Sequence, residues 1–219
     1  MPSSKTSRSS THAAASKPAA RKPVAKTPKG PPSHEIRIIG GQWRRTRLKV
    51  IDKPGLRPTP DRVRETLFNW LGQDLTGLRC LDAFAGSGAL GFEAASRGAV
   101  QVLLCEQDPG LAAGLRTNAE RLKATQIKVQ RGDAIATLKG ASRSSWDLVF
   151  LDPPFGDNGN EALFAQALQA AVPLLSPPGC IYLEAPRAWS EQELLALGLR
   201  CSRHGKAGQV HYHLLELAP

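Results

Sequence analysis

A chain of 219 residues with 41% hydrophobic and 22% charged side chains is long enough to bury a sizeable core, which excludes a wholly disordered or fibrous class. Its net charge of +10 and pI of about 9.8 point to a polyanionic partner, yet residues 1–33 hold seven Lys or Arg and no acid, which leaves 22 basic against 19 acidic residues for the rest. The four cysteines form no Cys-x-x-Cys pair and read as reduced thiols, so no metal is expected; the N-terminus lacks the apolar segment of a secretory signal, and the expected location is the cytoplasm.

Residues 1–33 are rich in Ser, Ala, Lys and Pro, lack an aromatic, and form an expected disordered basic tail that binds nucleic acid through charge alone. Its six prolines argue against the amphipathic helix of a transit peptide. Residues 34–72 form an expected hairpin and helix. Ile36, Ile38 and Trp43 flank Gly40-Gly41, a pair suited to a two-residue turn. The arms carry Arg37, Arg44, Arg45 and Arg47, either a solvated ribbon face or a phosphate-contacting arm beside a ligand cleft. Thr59 reads as a helix cap ahead of Pro60 and Asp61, and Val63, Leu67, Trp70 and Leu71 then recur at helical spacing. Arg57, Arg62 and Arg64 lie near the start of that helix and are further candidates for phosphate contact.

Residues 73–219 form the second expected unit. Strands at Cys80–Phe84, Val100–Glu106, Ile127–Gln130, Trp146–Asp152 and Cys180–Glu184 alternate with helices at Ser87–Arg97, Pro109–Lys123, Asp133–Lys139, Glu161–Ala171 and Glu191–Leu197. Leu199–His204 and Gln209–Leu217 close the chain as an antiparallel pair around Gly205-Lys206-Ala207-Gly208. Such alternation predicts an α/β, doubly wound, Rossmann-like sheet with right-handed crossovers. Residues 162–183 carry no formal charge, but Pro173, Pro177, Pro178 and Gly179 interrupt them, so no membrane span is expected. His211 and His213 share a strand face; two ligands do not make a zinc site, and the pair reads as a polar face.

Two stretches carry chemistry. In Asp82-Ala83-Phe84-Ala85-Gly86-Ser87-Gly88-Ala89-Leu90-Gly91 the glycines let the backbone turn and approach a ligand. Gly86, Gly88 and Gly91 also satisfy the dinucleotide pattern, with Glu106 placed for a ribose, so an NAD-dependent oxidoreductase is a rival reading. Asp82, expected at the mouth of the loop, would repel a pyrophosphate and attract a cationic amino-acid portion such as that of S-adenosylmethionine. Asp133 could accept from an adenine amine, cap a helix, or do both. In the second stretch, a buried strand stops at Asp152 and gives way to Pro153, Pro154 and Phe155. This makes a rigid lip with an acceptor carboxylate and a flat ring, suited to a planar group bearing an N–H₂. An adenine, cytosine or guanine amine fits it equally, and an RNA-binding assembly factor that keeps the fold is a non-enzymatic rival.

Asp-Ala-Phe-Ala-Gly-Ser-Gly and Asp-Pro-Pro-Phe together resemble the amino-methyltransferases that use S-adenosylmethionine. With Ile36-Arg37-Ile38-Ile39-Gly40-Gly41, Leu56-Arg57-Pro58-Thr59, Arg62 to Trp70 and Lys206 to Val210, residues 35–217 resemble the bacterial RsmD family, which methylates the N2 amine of one guanine in 16S ribosomal RNA. The resemblance implies a seven-stranded class I methyltransferase sheet whose last two strands form an antiparallel hairpin. It implies a site in which Asp82, Phe84, Gly86, Gly88, Glu106, Asp133 and Ala134 hold S-adenosylmethionine and then S-adenosylhomocysteine. It places catalysis at Asp152, Pro153, Pro154 and Phe155, and the expected partner is 16S rRNA or the 30S subunit, met by a monomer. The tail lies outside it.

Overall fold

The computed structural model, which describes residues 33–56, 58–155 and 160–219, begins with an antiparallel ribbon of β1 (Ser33–Arg37) and β2 (Arg47–Ile51). The basic tail up to Pro32, and Arg57, lie outside the described residues. Helix α1 (Asp61–Trp70) leads into β3 (Arg79–Asp82), α2 (Ala89–Ser96), β4 (Gln101–Glu106), α3 (Pro109–Arg121), β5 (Ile127–Arg131) and α4 (Ala134–Gly140). Then come β6 (Trp146–Leu151), α5 (Glu161–Ala171), β7 (Leu175–Ala185), α6 (Glu191–Leu195), β8 (Leu199–Ala207) and β9 (Val210–Leu217). The central sheet has seven strands in the order β5-β4-β3-β6-β7-β9-β8, parallel from β5 to β7 and antiparallel over the last two pairings. That is the expected doubly wound sheet with a closing hairpin. Among the described residues no helix is long and apolar enough to cross a membrane.

Strands covered on both faces need unbroken apolar runs, and Leu148, Val149, Phe150 and Leu151 of β6 are all fully buried. Phe150 packs with Phe68 of α1, Phe92 of α2 and Tyr182 of β7 on one face; Val149 and Leu151 pack with Phe164 and Leu168 of α5 on the other. Ile36, Ile38, Leu48 and Val50 of the ribbon belong to the first of these cores. The N-terminal extension is therefore built into the main sheet's packing and has no core of its own.

Three local expectations are corrected. Gly40-Gly41 is not a two-residue turn, because Arg37 pairs with Arg47 and nine residues connect the strands. The glycines are there for close packing. A Cβ on Gly40 would lie 2.3 Å from the Arg97 guanidinium, and one on Gly41 (φ +73°) would lie 1.8 Å from the Ser96 carbonyl. Thr59 does not cap α1: Pro60 occupies the cap position without a side-chain bond, and the buried Thr59 hydroxyl bonds Glu184 instead. Gly205 lies inside β8 rather than in a turn, where a Cβ would strike the Tyr212 ring at 2.3 Å; the turn is Gly208-Gln209.

Candidate active site

The carboxyl ends of β3, β4, β6 and β7 meet at one edge of the sheet, where ligands of doubly wound folds sit. β3 runs through Asp82 into the glycine loop. Gly86 (φ +49°) and Gly88 (φ +78°) adopt left-handed backbone, and a Cβ at Gly88 would also lie 2.5 Å from Leu115. The Gly86 amide donates to Glu106 Oε2 at 2.8 Å, and the Asp108 amide donates to Oε1 at 2.7 Å. Glu106 thus ties the glycine loop to the start of α3, and its remaining lone pairs can still accept from a diol. Burial pushes its carboxyl above the ordinary range, against the pull of the Gly86 amide, of Lys53 and of the Gln107 amide.

Asp82 is not at the mouth of the loop. It is 2% exposed and accepts from the Gly91 amide at 3.2 Å, behind the glycines in the first turn of α2. Loss of water pushes its carboxyl up to about 7, with the Glu106 and Glu184 charges adding and the Gly91 and Phe84 amides opposing. Its part is to brace the loop, with Phe84 half-buried beside it. Asp133 caps α4, accepting from the Ala136 amide at 2.8 Å, and remains exposed next to buried Ala134. One Asp133 oxygen caps the helix, as one of the two expected roles requires, and the other faces outward without being used by the cap.

Asp152 follows β6 directly, with Pro153 buried and Pro154 exposed. Phe155 is 41% exposed and rests on Phe164, ring centroids 5.8 Å apart. Asp152 is half-covered by surface but crowded by protein. Desolvation first, then the charges of Glu184 and Asp82, push its carboxyl well above the ordinary range. Glu184 is the site residue that sequence reasoning passed over. It is the penultimate residue of β7, is 5% exposed, and accepts from the Tyr182 hydroxyl at 2.9 Å. A signal existed, since Tyr182-Leu183-Glu184 is an apolar strand ending on a carboxylate, as Phe150-Leu151-Asp152 is.

A strap between β2 and α1 crosses this edge. Lys53 pairs with Asp108, Leu56 covers Gly86, and Thr59 bonds Glu184. Its residues, rather than the hairpin loop, border the cleft. Gln42 and Trp43 bond to Ser96, the last residue of α2. That places neighbouring Arg44 and Arg45 one helix length, about 12 Å for eight residues, from the glycine loop. Both are exposed but do not line the cleft. Arg64 is not a phosphate contact at all: it is 1% exposed, and its guanidinium is spent on Glu93, Asp61 and the carbonyls of Thr59 and Arg37. Arg37 and Arg47 are exposed and pair with Asp61 and Glu35; Arg62 is exposed near the strap. His211 and His213 share one face of β9 as expected, both against the His204 ring with centroids 5.2 and 4.7 Å away, though His213 is buried and takes the Trp189 amide at 3.3 Å. Among the described residues no group of three or more His, Cys, Asp or Glu could hold a metal ion.

A glycine loop, an anchored carboxylate at the end of β4 and an Asp-Pro-Pro-Phe lip meet at the strand ends of this doubly wound α/β sheet, and the comparisons with known proteins make the class that of the methyltransferases. Residues 36–216 match the family model described as conserved hypothetical protein 95. The chain is 42% identical over 199 residues to ribosomal RNA small subunit methyltransferase D of Escherichia coli, covering 86% of this chain and 93% of that one. The protein of the same name from Haemophilus influenzae is 44% identical over 156 residues, covering 70% and 80%. The solved structure of putative methyltransferase yhhF from E. coli superposes with a TM-score of 0.70 at 39% identity, covering 84% of this chain and 99% of that one. The chain belongs to this family, the RsmD family that its motifs resemble.

Proposed function

We propose that the chain transfers a methyl group from S-adenosylmethionine to the exocyclic N2 amine of a guanine in 16S ribosomal RNA, as a cytoplasmic monomer acting on the 30S subunit. The observation that carries the choice of methyl donor is at the glycine loop. A pyrophosphate needs free amides at a helix N-terminus, and here the Gly86 and Gly91 amides already serve Glu106 and Asp82. The carboxylates at the cleft, Glu106 and Asp152, suit a cationic ligand. Ribosomal RNA as substrate is supported by the names of the relatives, and guanine by the family resemblance.

The donor supplies an electrophilic methyl on a sulfonium; the chain supplies orientation. A guanine amine is a weak nucleophile because its lone pair is delocalised into the ring. Accepting its hydrogens at Asp152 and the Pro153 carbonyl localises that pair on nitrogen. Phe155, exposed at the lip, stacks on the base, which is worth roughly 1–3 kcal/mol and fixes its plane. Most of the rate then comes from holding nitrogen and methyl in line. The base must be turned out of its RNA stack to enter.

Calorimetry is expected to give binding of S-adenosylhomocysteine and none of NAD(H), and labelled methyl transfer to 30S particles should map to one guanine N2. Tight NAD(H) binding without adenosylhomocysteine binding overturns the enzyme class; a methylated adenine or cytosine overturns the base alone. Arg44 and Arg45, exposed and remote from the glycine loop, can contact only flanking phosphates. The Arg44→Ala, Arg45→Ala double variant should raise the KM for RNA and make the slope of log affinity against log salt shallower by roughly 2, the count of charges removed. Its kcat and its affinity for adenosylhomocysteine should stay as in the parent, and a fall in kcat at saturating RNA would place these arginines at the cleft after all.

A further inference from the structure

Glu184 has no part in the mechanism above, yet its surroundings are built with care. In the parallel pairing of β6 with β7, Phe150 stands opposite Tyr182 and Leu151 opposite Leu183. The next residue of each chain is a carboxylate, Asp152 and Glu184, on strands that run about 4.8 Å apart. Both follow the side of the sheet taken by Phe150 and Tyr182, two residues earlier, and Thr59 approaches that side from the strap. Glu184 receives two hydrogen bonds, from the fully buried Tyr182 hydroxyl and from the Thr59 hydroxyl, itself 5% exposed. Among the described residues no hydrogen bond to the Asp152 carboxylate is formed. Burial pushes the Glu184 carboxyl above its ordinary range and the two donors oppose that push, whereas desolvation and the charges of Glu184 and Asp82 all push the Asp152 carboxyl upward.

We propose that Glu184 is a positioning residue for methyl transfer: pinned by Tyr182 and Thr59, it holds its carboxylate beside Asp152, so that Asp152 takes the proton shed by the substrate nitrogen. The inference rests on the amino-methyltransferase reading of the site. In the step itself the nitrogen lone pair forms the new N–CH₃ bond as the S–CH₃ bond breaks and its electron pair returns to sulfur. The nitrogen, briefly cationic, passes one proton to the Asp152 carboxylate, and that proton leaves to water when the products go. The groups facing Asp152 are Glu184 from β7 and Asp82 from β3, both acidic; Tyr182 also faces it from β7, and Tyr212 of β9 lies opposite Glu184 in register. Each negative neighbour makes a carboxylate hold a proton more firmly, so removing Glu184's charge weakens Asp152 as an acceptor.

The test uses the full chain, 30S particles and S-adenosylmethionine. Glu184→Gln should lower kcat roughly tenfold, within what a weaker proton acceptor explains, while affinity for adenosylhomocysteine stays within about twofold. Activity needs Asp152 ionised, so the acid limb of the kcat profile should move to lower pH. Glu184→Asp, which keeps the charge, should restore most of the rate. Thr59→Val removes one donor and should move the limb the same way by less; it carries the test should Glu184→Gln not fold. In an Asp152→Asn background the Glu184→Gln change should cost nothing further. An unmoved acid limb, or losses that multiply in full between Glu184 and Asp152, overturns the proposal. A wild-type protein that transfers no methyl group overturns the underlying reading instead.

Discussion

Replacing Asp152 by Ala is expected to lower methyl transfer by roughly 10²–10⁴-fold, the usual span for a group that handles the reacting proton, with adenosylhomocysteine affinity nearly unchanged. The structure explains why the two effects should separate. Asp152 belongs to the β6 lip, whereas the Gly86 and Asp108 amides are fixed by Glu106 and the first turn of α2 by Asp82. None of these bonds uses Asp152. The substitution also removes one member of a crowded acidic cluster, which relieves Glu184 and Asp82. Stability should therefore hold or rise slightly at neutral pH. Single-turnover transfer, isothermal titration with adenosylhomocysteine and thermal melts read the three quantities independently. Unchanged transfer would falsify the placement of chemistry at the lip and remove Asp152 from the mechanism.

The fold was legible because its signals are local. Alternating apolar runs and helical spacing gave each strand from β3 to β9, and Gly-Ser-Gly and Asp-Pro-Pro-Phe marked the two loops that define the cleft. What escaped were roles settled by tertiary neighbours. Thr59 has every feature of a helix cap in sequence, but the buried Glu184 carboxylate competes for its hydroxyl. Arg64 reads as a surface cation until Glu93, twenty-nine residues away, is brought against it. Gly40-Gly41 has the composition of a tight turn, yet the pair is small because α2 ends against it. Asp82, the last residue of β3, faces the helix behind the loop rather than its mouth, and nothing in the spacing says which of the two a carboxylate there will face.

Glu93 carries the largest expected effect on stability. It is fully buried between Arg64 and Arg97, with Glu93 Oε2 3.3 Å from Arg64 Nη1 and Oε1 2.9 Å from Arg97 Nε. The same two oxygens take the Ile39 amide at 2.9 Å and the Gly40 amide at 2.7 Å. One carboxylate thus pairs with two buried guanidiniums and fastens the ribbon loop to α2. Removing it strands charge that the interior cannot solvate, because both arginines keep their positions: Arg64 still bonds Asp61 and backbone carbonyls, and Arg97 lies over the Phe68 ring at 4.7 Å and bonds Gln73. Breaking a buried ion pair from one side costs about 3–5 kcal/mol, which for a domain of this size lowers the melting temperature by roughly 10 °C. Glu93→Gln keeps the shape and still offers an acceptor to the amides, so it should lose somewhat less than Glu93→Ala. Hydrogen exchange should quicken first at the Ile39, Gly40, Gln42 and Trp43 amides, which bond to α2, before the β3 and β6 strands open. Equal melting temperatures for parent and variant, with those four amides still protected, would mean that apolar packing of Ile36, Ile38 and Leu48 holds the ribbon without the buried charges.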